Sequence, residues 1–293
     1  MTSSQGAQEI WHPRLHVGRF VRQGLLHAVL GANAILMIFP LLWMISTSLK
    51  APSKQYLWPP QLIPNPLYPE NYVNLFALAP MGKYMLNSTK ITVLSMIGVI
   101  LSSSLAAFAF ARMRFRGRDV FFSILLATMM LPGAVTLVPT FVIMRLLGWV
   151  DTHAPLIIPS FFGSAFYVFL IRQYFLSIPQ DFVDAAQIDG ADFFTIYWRI
   201  FLPLSRPILT TVAVLTFLGS WNDLFGPLIY LNTQEKMTVQ LGLAYLRGRA
   251  GTGVEQFGTI MAGAFLGLVP TLVLYFFGQK YFVQGLARSA LKG

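Results

Sequence analysis

The sequence Asp184-Ala185-Ala186-Gln187-Ile188-Asp189-Gly190-Ala191, followed by Ile200-Phe201-Leu202-Pro203-Leu204-Ser205-Arg206-Pro207, decides how this chain is organised. It lies between two long apolar runs, yet it cannot itself cross a lipid bilayer. One aspartate at the centre of a membrane helix costs about 2.5–3.5 kcal/mol to insert, and this region holds four, Asp181, Asp184, Asp189 and Asp192. The stretch therefore predicts an ordered polar loop outside the membrane, which is typical of a docking element.

The composition is that of a membrane protein with several spans. Hydrophobic residues make up 55% of the 293 residues and charged residues only 11%, a balance that excludes an ordinary soluble domain. The net charge is +10, but cytoplasmic loops normally carry excess Lys and Arg, so we expect no nucleic-acid partner. The chain has no cysteine, which excludes disulfides and Cys-ligated metals.

Six apolar runs are long enough to cross a bilayer as helices. They cover residues 24–48, 91–111, 120–138, 154–171, 208–231 and 257–277. We therefore predict an all-α polytopic fold with six transmembrane helices. Its parts are an N-terminal segment at 1–23, a transmembrane domain at 24–282 with the polar loop at about 179–207 between helices 4 and 5, and a tail at 283–293. The shorter segment 139–148 begins at a proline and carries Arg145, which predicts an interfacial helix.

The distribution of Lys and Arg predicts that both termini are cytoplasmic. The segments that would then lie inside hold 13 of these residues against 8 outside, in the direction of the positive-inside rule. The turn Arg112–Arg118, with four arginines, is the firmest anchor. Of the outer loops, 51–87 is rich in proline and is predicted to be extended and ordered rather than helical. Residues 232–256 are predicted to form either a mobile polar finger or a plain connector.

The polar loop itself predicts two short helices joined at a sharp corner. Asp181 is a suitable N-cap, and Asp184 three residues later resembles a capping box. Gly190 suits the left-handed position that ends a helix, and Asp192 is positioned to cap a second helix over 193–201, which Pro203 would terminate.

The predicted loop surface fits a protein partner. Ala185 and Ala186 would leave a flat surface, and Phe193, Phe194 and Tyr197 would supply apolar anchors. An amphipathic hairpin resting on the inner membrane face would bury the same apolar residues, and the loop residues alone do not separate the two.

A family resemblance favours docking. Asp184-Ala185-Ala186-x-x-Asp189-Gly190-Ala191, with Ile200-x-Leu202-Pro203 and Pro207, resembles the "EAA" loop of ABC-importer permeases, with Asp184 where that family usually has Glu. Glu70-Asn71-Tyr72, Trp221-Asn222-Asp223, Gly285-Leu286 and Lys292-Gly293 resemble the MalG branch of carbohydrate permeases, although the last residues, 288–293, depart slightly from the usual ending.

The resemblance implies a non-catalytic permease subunit of an ATP-driven sugar or oligosaccharide importer in a bacterial inner membrane. Its partners would be a second, homologous permease, two ATPase subunits that bind ATP and Mg, and a periplasmic or extracellular solute-binding protein. The coupling-helix residues that dock on the ATPase would be Asp184, Ala185, Ala186, Asp189, Gly190, Ala191, Phe193 and Phe194. Residues of the last outer loop that would contact the binding protein are Arg247, Gly248, Arg249 and Gly251.

Trp221-Asn222-Asp223 interrupts the fifth apolar run and is a candidate for the translocation pathway. An acid within a membrane helix marks a functional site by default, and the Trp221 ring could stack on a sugar. The alternatives are that Asp223 is hydrated near the outer end, that Asn222 serves helix packing, and that Trp221 is an interfacial anchor.

Other chemistry is poorly supported by the sequence. The four histidines are scattered without metal-ligand spacing, and no phosphate-binding Gly-x-x-x-x-Gly-Lys-Ser/Thr loop is present. We therefore expect this chain to bind no cofactor and a separate ATPase chain to supply the energy. A self-contained secondary transporter is the alternative, with Asp223 as its intramembrane acid. Lys236, Arg247 and Arg249 are compatible either with an acidic substrate such as oligo-alginate or with an acidic binding protein.

Overall fold

A computed structural model describes residues 17–250 and 256–290, with side chains over 22–249 and 256–277. Within these ranges the chain is helical and contains no strand, which confirms the predicted all-α class. Four of the described helices are long and apolar enough to cross a membrane. Two further helix pairs, each bent at a short break, raise the number to six if each pair counts as one span.

The described helices follow one another mostly with short connections, apart from the long loop between the first two. In chain order they are α1 Val17–Ser48, α2 Glu70–Leu78, α3 Met81–Arg112, α4 Arg118–Thr128, α5 Gly133–Leu146, α6 Ala154–Ile157, α7 Ala165–Leu176, α8 Asp181–Ile188, α9 Phe193–Ile196, α10 Leu202–Leu204, α11 Arg206–Trp221, α12 Phe225–Tyr230, α13 Val239–Ala250 and α14 Phe257–Ala290. Short 3₁₀ segments lie at Pro52–Lys54, Ile158–Phe162 and Gln234–Lys236, and a π-helical turn occupies Tyr197–Phe201.

The long helix α3 is the centre of the molecule, since it packs along its length against α7 and α11, while α14 packs against α1 and α2. Two buried clusters lie at its two ends. One surrounds Phe108, Phe175 and Phe201 beside the polar loop, and we call this end of the molecule the loop end. The other contains Leu75 and Trp221 at the opposite end.

The outer surface of the helices is apolar. Leu36, Met37 and Leu86 are each about 70% exposed, and no residue of the most apolar stretch of α1 is buried. Apolar surface of this extent is rare on soluble monomers and fits contact with lipid.

The third apolar run is not a single straight span, and Pro132, a residue that can kink a membrane helix, lies at the break. Residues 120–138 form, in place of the predicted span, the end of α4 and the start of α5, which meet at an angle of 98°. Pro132 precedes α5 in an extended conformation (ψ 133°), and its ring disfavours helical geometry in the residue before it. The expected interfacial helix at 139–148 is likewise wrong in its start, because α5 begins at Gly133 and contains Pro139.

The remaining differences lie at the opposite end. The fifth run, 208–231, is divided between α11 and α12, with a break at residues 222–224. The loop 51–87 lacks α-helix only as far as Pro69, with a 3₁₀ segment at Pro52–Lys54, because its prolines become sparse there and α2 and α3 follow. The segment 239–250 is a helix that packs against α3 and α14, so over these residues it is neither a polar finger nor a plain connector. The cytoplasmic placement of the termini and the boundaries at 23 and 282 remain predictions.

Candidate functional site

The corner of the polar loop has the geometry that its sequence predicts. Gly190 adopts a φ of +78°, a conformation that costs other residues energy because of their Cβ atom. The N–H of Gly190 donates to the carbonyl of Gln187 at 3.0 Å, and the N–H of Ala191 donates to that of Ala186 at 2.9 Å. These two bonds define a Schellman motif, which ends α8 and turns the chain toward α9.

The two predicted N-caps have different outcomes. The Asp192 carboxylate accepts a hydrogen bond from the Thr195 N–H at 2.9 Å and caps α9, and hydrogen bonding from Thr195 holds the pKa of Asp192 below its usual value. The predicted capping box at Asp181 is wrong, because Gln180 occupies the N-cap position and makes no side-chain cap bond. Asp181 and Asp184 instead lie in the first turn of α8, where negative charge favours the helix dipole.

The second short helix does not end at Pro203. It passes through a π-helical turn at Tyr197–Phe201 and continues to Leu204. In an α-helix, Pro203 would have no N–H for the carbonyl four residues earlier and its ring would clash there. The wider π turn accommodates the proline without ending the helix. The chain then bends by 77° into α11.

The loop presents an apolar outer face. Ile188 is 87% exposed and Phe194 63% exposed, and Phe182, Phe193 and Trp198 are also exposed. The carboxylate-bearing residues Asp184 and Asp189 are exposed beside them, as is Ala185.

Three residues predicted to take part in docking do not belong to this face. Tyr197 is buried, and its hydroxyl is hydrogen-bonded to that of Ser104 at 2.8 Å. Ala186 and its partner Ala191 are only half-exposed and pack inward against the loop-end core.

Arg112, at the end of α3, holds α8 to the rest of the molecule. Its guanidinium donates to the carbonyls of Phe175 and Ile178 and, at 2.6 Å, to the side-chain oxygen of Gln180. Gln180 in turn donates to the Asp184 carboxylate at 3.0 Å. This chain of contacts fixes the start of α8. The sequence does not predict these contacts, because an arginine in a basic turn indicates only a positive charge there.

Aromatic rings hold the second short helix in the same way. The Phe201 ring lies 5.0 Å from that of Phe108 on α3 and 5.2 Å from that of Phe175 on α7, both edge-on. Pairs with this geometry contribute about 0.5–1.5 kcal/mol beyond the area they bury. The loop is therefore packed on both sides of its corner.

The three pathway candidates lie in different surroundings. Trp221 is 2% exposed, stacks on Phe217 and donates from its indole nitrogen to the Gly267 carbonyl at 2.9 Å, so its ring has no free face in this structure. Asn222 is exposed and bonds back to the Leu218 carbonyl. Asp223 caps α12, since its Oδ1 accepts from the N–H groups of Phe225 and Gly226, and it lines a cavity of about 270 Å³.

At the opposite end, Arg247, Gly248 and Arg249 lie exposed on α13. The Arg249 guanidinium lies 5.7 Å from the centre of the Tyr245 ring. The fourth candidate, Gly251, lies outside the described residues.

The sequence does not predict the hydrogen-bonded cluster around Asp151. Its carboxylate accepts from the ammonium of Lys236 at 2.8 Å and from the backbone N–H groups of Asn232 and Thr233, each at 2.9 Å. Asp151 has a φ of +58°. An isolated Asp in a loop sequence indicates neither this backbone conformation nor these hydrogen bonds. Lys236 is therefore already paired within the chain.

No group of three or more potential metal ligands occurs among the described side chains.

Comparison with known proteins identifies what this arrangement resembles. Residues 95–288 match the family of binding-protein-dependent transport system inner membrane components. The chain is 33% identical over 262 residues to a probable ABC transporter permease protein, YurM, of Bacillus subtilis, covering 88% of this chain and 85% of the relative. It is also 33% identical over 265 residues to the arabinooligosaccharides transport system permease protein AraQ of Halalkalibacterium halodurans, covering 89% of this chain and 93% of the relative.

A solved structure gives the same picture. The fold matches a chain in the crystal structure of a bacterial ABC transporter involved in the import of the acidic polysaccharide alginate, with a TM-score of 0.81 and 25% identity, over 92% of this chain and 100% of the other.

Proposed function

Because the chain belongs to the family of binding-protein-dependent transport system inner membrane components, we propose that it is the membrane-spanning permease subunit of an ABC importer for sugars or oligosaccharides. Its fold and relatives are those of sugar importers. A self-contained secondary transporter, the alternative left by the sequence, is set aside by this membership. The subunit itself is non-catalytic, and ATP and Mg bind to partner ATPase subunits.

The ATPase subunit docks on the exposed face of α8 and α9. The observation that carries this assignment is the 87% exposure of Ile188 beside exposed Phe182 and Phe194, outside the segments that could span a membrane or at their edge. Apolar side chains at this exposure are costly in water, and an apolar groove in a protein partner would bury them. Asp184 and Asp189 at the rim add polar contacts, while Ala186, Gly190 and Ala191 set the corner.

Movement of the ATPases passes into the membrane through the contacts that fix the loop. Arg112 ties α8 to α3 and α7, and the Phe201 ring packs between the same two helices. Because packed interfaces move as rigid bodies, a displacement of α8 tilts these helices together and alternates the access to the pathway.

At the other end, the solute-binding protein docks on α13 and the residues after it. Arg247, Gly248 and Arg249 are exposed there, and Gly251 follows in the chain. A second, homologous permease completes the pathway, to which Asn222 and Asp223 contribute from this chain. Both termini are cytoplasmic in this arrangement, which places the loop end inside the cell.

The docking surface is tested by placing a charge on it. The complex should be purified in mild detergent through a tag on this chain, and its composition determined by mass spectrometry. We expect Ile188→Asp to lose the ATPase subunit while keeping the second permease. The matched control is Trp58→Asp, which changes an apolar residue of 89% exposure at the opposite end and should retain the ATPase. Recovery of the ATPase with Ile188→Asp at the wild-type level would contradict the assignment.

A further inference from the structure

Seven of the twelve residues that line the cavity beside Asp223 carry a hydroxyl group. The cavity measures about 270 Å³, just below the roughly 300–1,000 Å³ typical of small-ligand pockets, and lies between α3, α6, α7 and α11. Some of its hydroxyls hold the helices together: Ser88 accepts from the Val239 N–H, and Ser95 donates to the Leu156 carbonyl. Others, on Ser160, Tyr167 and Ser220, make no hydrogen bond within the described part of the chain.

Thr216 does not present its hydroxyl oxygen to the cavity, because that atom has almost no accessible surface. It lines the cavity and is 7% exposed, yet its hydroxyl has no hydrogen-bond partner among the described residues. Buried polar groups are nearly always paired, and an exception calls for an explanation. Unpaired buried hydroxyls also occur away from the cavity, on Thr47 and Ser205, so that of Thr216 does not by itself indicate a ligand.

Charge limits what a ligand of this cavity can be. Asp223 is the one charged residue among the described residues that line the cavity, and neither Lys nor Arg is among them. Its Oδ1 is occupied by two backbone N–H groups, whereas Oδ2 makes no hydrogen bond. A ligand hydroxyl can donate to Oδ2, but a ligand carboxylate would be repelled, and water exclusion strengthens that repulsion. The half-buried Tyr167 offers an aromatic ring for stacking, a role that the buried Trp221 cannot take.

We propose that this cavity is a subsite for one ring of an uncharged, hydroxyl-rich sugar, and that Asp223 excludes sugars that carry carboxylates. The inference rests on the proposed function and narrows its substrate class. By this inference the chain differs in substrate from the solved importer of an acidic polysaccharide, although the two share the fold. The exposed cations Arg247 and Arg249 lie on α13 and do not line the cavity.

The absence of cysteine from this chain allows a direct test. Ser220→Cys, in the transporter assembled in nanodiscs, should be labelled with a cationic and with an anionic methanethiosulfonate reagent, each rate being divided by that for a small thiol in solution. Two unit charges several ångströms apart in a partly buried site interact strongly enough for a preference of about tenfold for the cation. Gln61→Cys, in the exposed loop outside the cavity, is the control and should show a ratio near one.

Asp223→Asn assigns the preference to the carboxylate. Asparagine keeps the oxygen that caps α12, so the helix should be retained while the tenfold preference disappears. An equal or faster reaction of the anionic reagent at Ser220→Cys, or a preference that survives Asp223→Asn, would overturn the exclusion of acidic sugars. This measurement needs no ATP hydrolysis, so its failure is distinct from failure of the ATPase to co-purify.

The sugar itself is tested by protection of Ser220→Cys from labelling. Maltotriose, a neutral trisaccharide, should slow the labelling at about 10 mM, above the usual range of KM values, whereas trigalacturonate should not. Ser160→Ala, which removes a cavity hydroxyl without a partner among the described residues, should raise the maltotriose concentration needed for half protection about three- to tenfold, the effect of one lost hydrogen bond, and Ser160→Thr should not. Protection by trigalacturonate, or by neither sugar, would overturn the subsite.

Discussion

Gly190→Ala tests whether the loop corner must keep its left-handed conformation for the ATPase to dock. No atom outside the immediate backbone lies within 4 Å of a Cβ built on Gly190, so a methyl group meets no neighbour and the cost is conformational alone. That cost is about 1–2 kcal/mol for an L-residue in this region. In the undocked permease the alanine variant can leave the left-handed conformation and escape this cost. Docking then requires the corner to return to that conformation, which reduces the affinity for the ATPase subunit by about five- to thirtyfold.

The assay is a titration of the ATPase subunit onto the permease pair held in nanodiscs, with the dissociation constant as the readout. Gly148→Ala is a matched control. Gly148 has a φ of +70°, no neighbour within 4 Å of its Cβ position, and the same pair of helix-ending hydrogen bonds, but it lies at the opposite end. We expect it to lower stability similarly and to leave the dissociation constant unchanged.

A dissociation constant for Gly190→Ala within about twofold of wild type would refute the reasoning, because the strain would then have no bearing on docking. An equal loss with Gly148→Ala would refute it also, by showing that the effect comes from general destabilisation. Gly190→Pro, which cannot reach a positive φ and removes the N–H bonded to Gln187, should abolish docking altogether.

Three further results are expected. Arg112→Ala should lower substrate-stimulated ATP hydrolysis more than Arg112→Lys does, because the carbonyls of Phe175 and Ile178 lose their donor, and equal rates in both variants and wild type would contradict a role in coupling. Tyr197→Phe should lower the free energy of unfolding by about 1 kcal/mol, the value of its hydrogen bond to Ser104, as measured by denaturation in detergent. An unchanged free energy of unfolding would show that this hydrogen bond does not contribute to the stability of the fold. Hydrogen bonds from Lys236 and Thr233 hold the pKa of Asp151 well below its usual value, so they stabilise the opposite end above about pH 4 and are lost as the pH falls through the folded value. The protection of the Asn232 and Thr233 amides, taken as the exchange rate relative to the intrinsic rate at the same pH, should therefore fall in acid, and in Asp151→Ala it should be low at every pH.

The corner of the loop could be predicted from the sequence because its determinants are local. Gly190 and Asp192 act within four residues of their own positions, through a backbone angle and a helix cap. The burial of Tyr197 could not be predicted in this way, since it depends on a hydrogen bond to Ser104 of another helix. Aromatic residues on a short helix give no sign of which ring is covered by a segment far away in sequence. Asp151 was missed for the same reason, because its partners lie about 80 residues along the chain.

The prediction that Pro203 ends the second short helix was wrong for a different reason. In an α-helix a proline removes one hydrogen bond and ends or kinks the helix, and that reasoning predicted a stop. The chain instead widens to a π turn over the preceding residues, which the sequence does not specify. Pro132 follows the ordinary rule and does break a helix, but within an apolar run that hydropathy alone reads as continuous.

The helix α11 joins the two parts of the molecule that the proposals concern. It has 16 residues, and at 1.5 Å per residue it extends about 24 Å. Val212 is buried in the loop-end core, whereas Trp221 is fixed in the opposite core by its bond to the Gly267 carbonyl. A helix held in both cores tilts rather than bends, so the change in angle falls at its junction with α10, where the chain already turns by 77°. The same helix carries Ser220 on the cavity wall and ends next to Asp223. A push on the loop therefore alters the spacing of the groups that would hold the sugar, and this gives ATP-driven movement a physical route to releasing it.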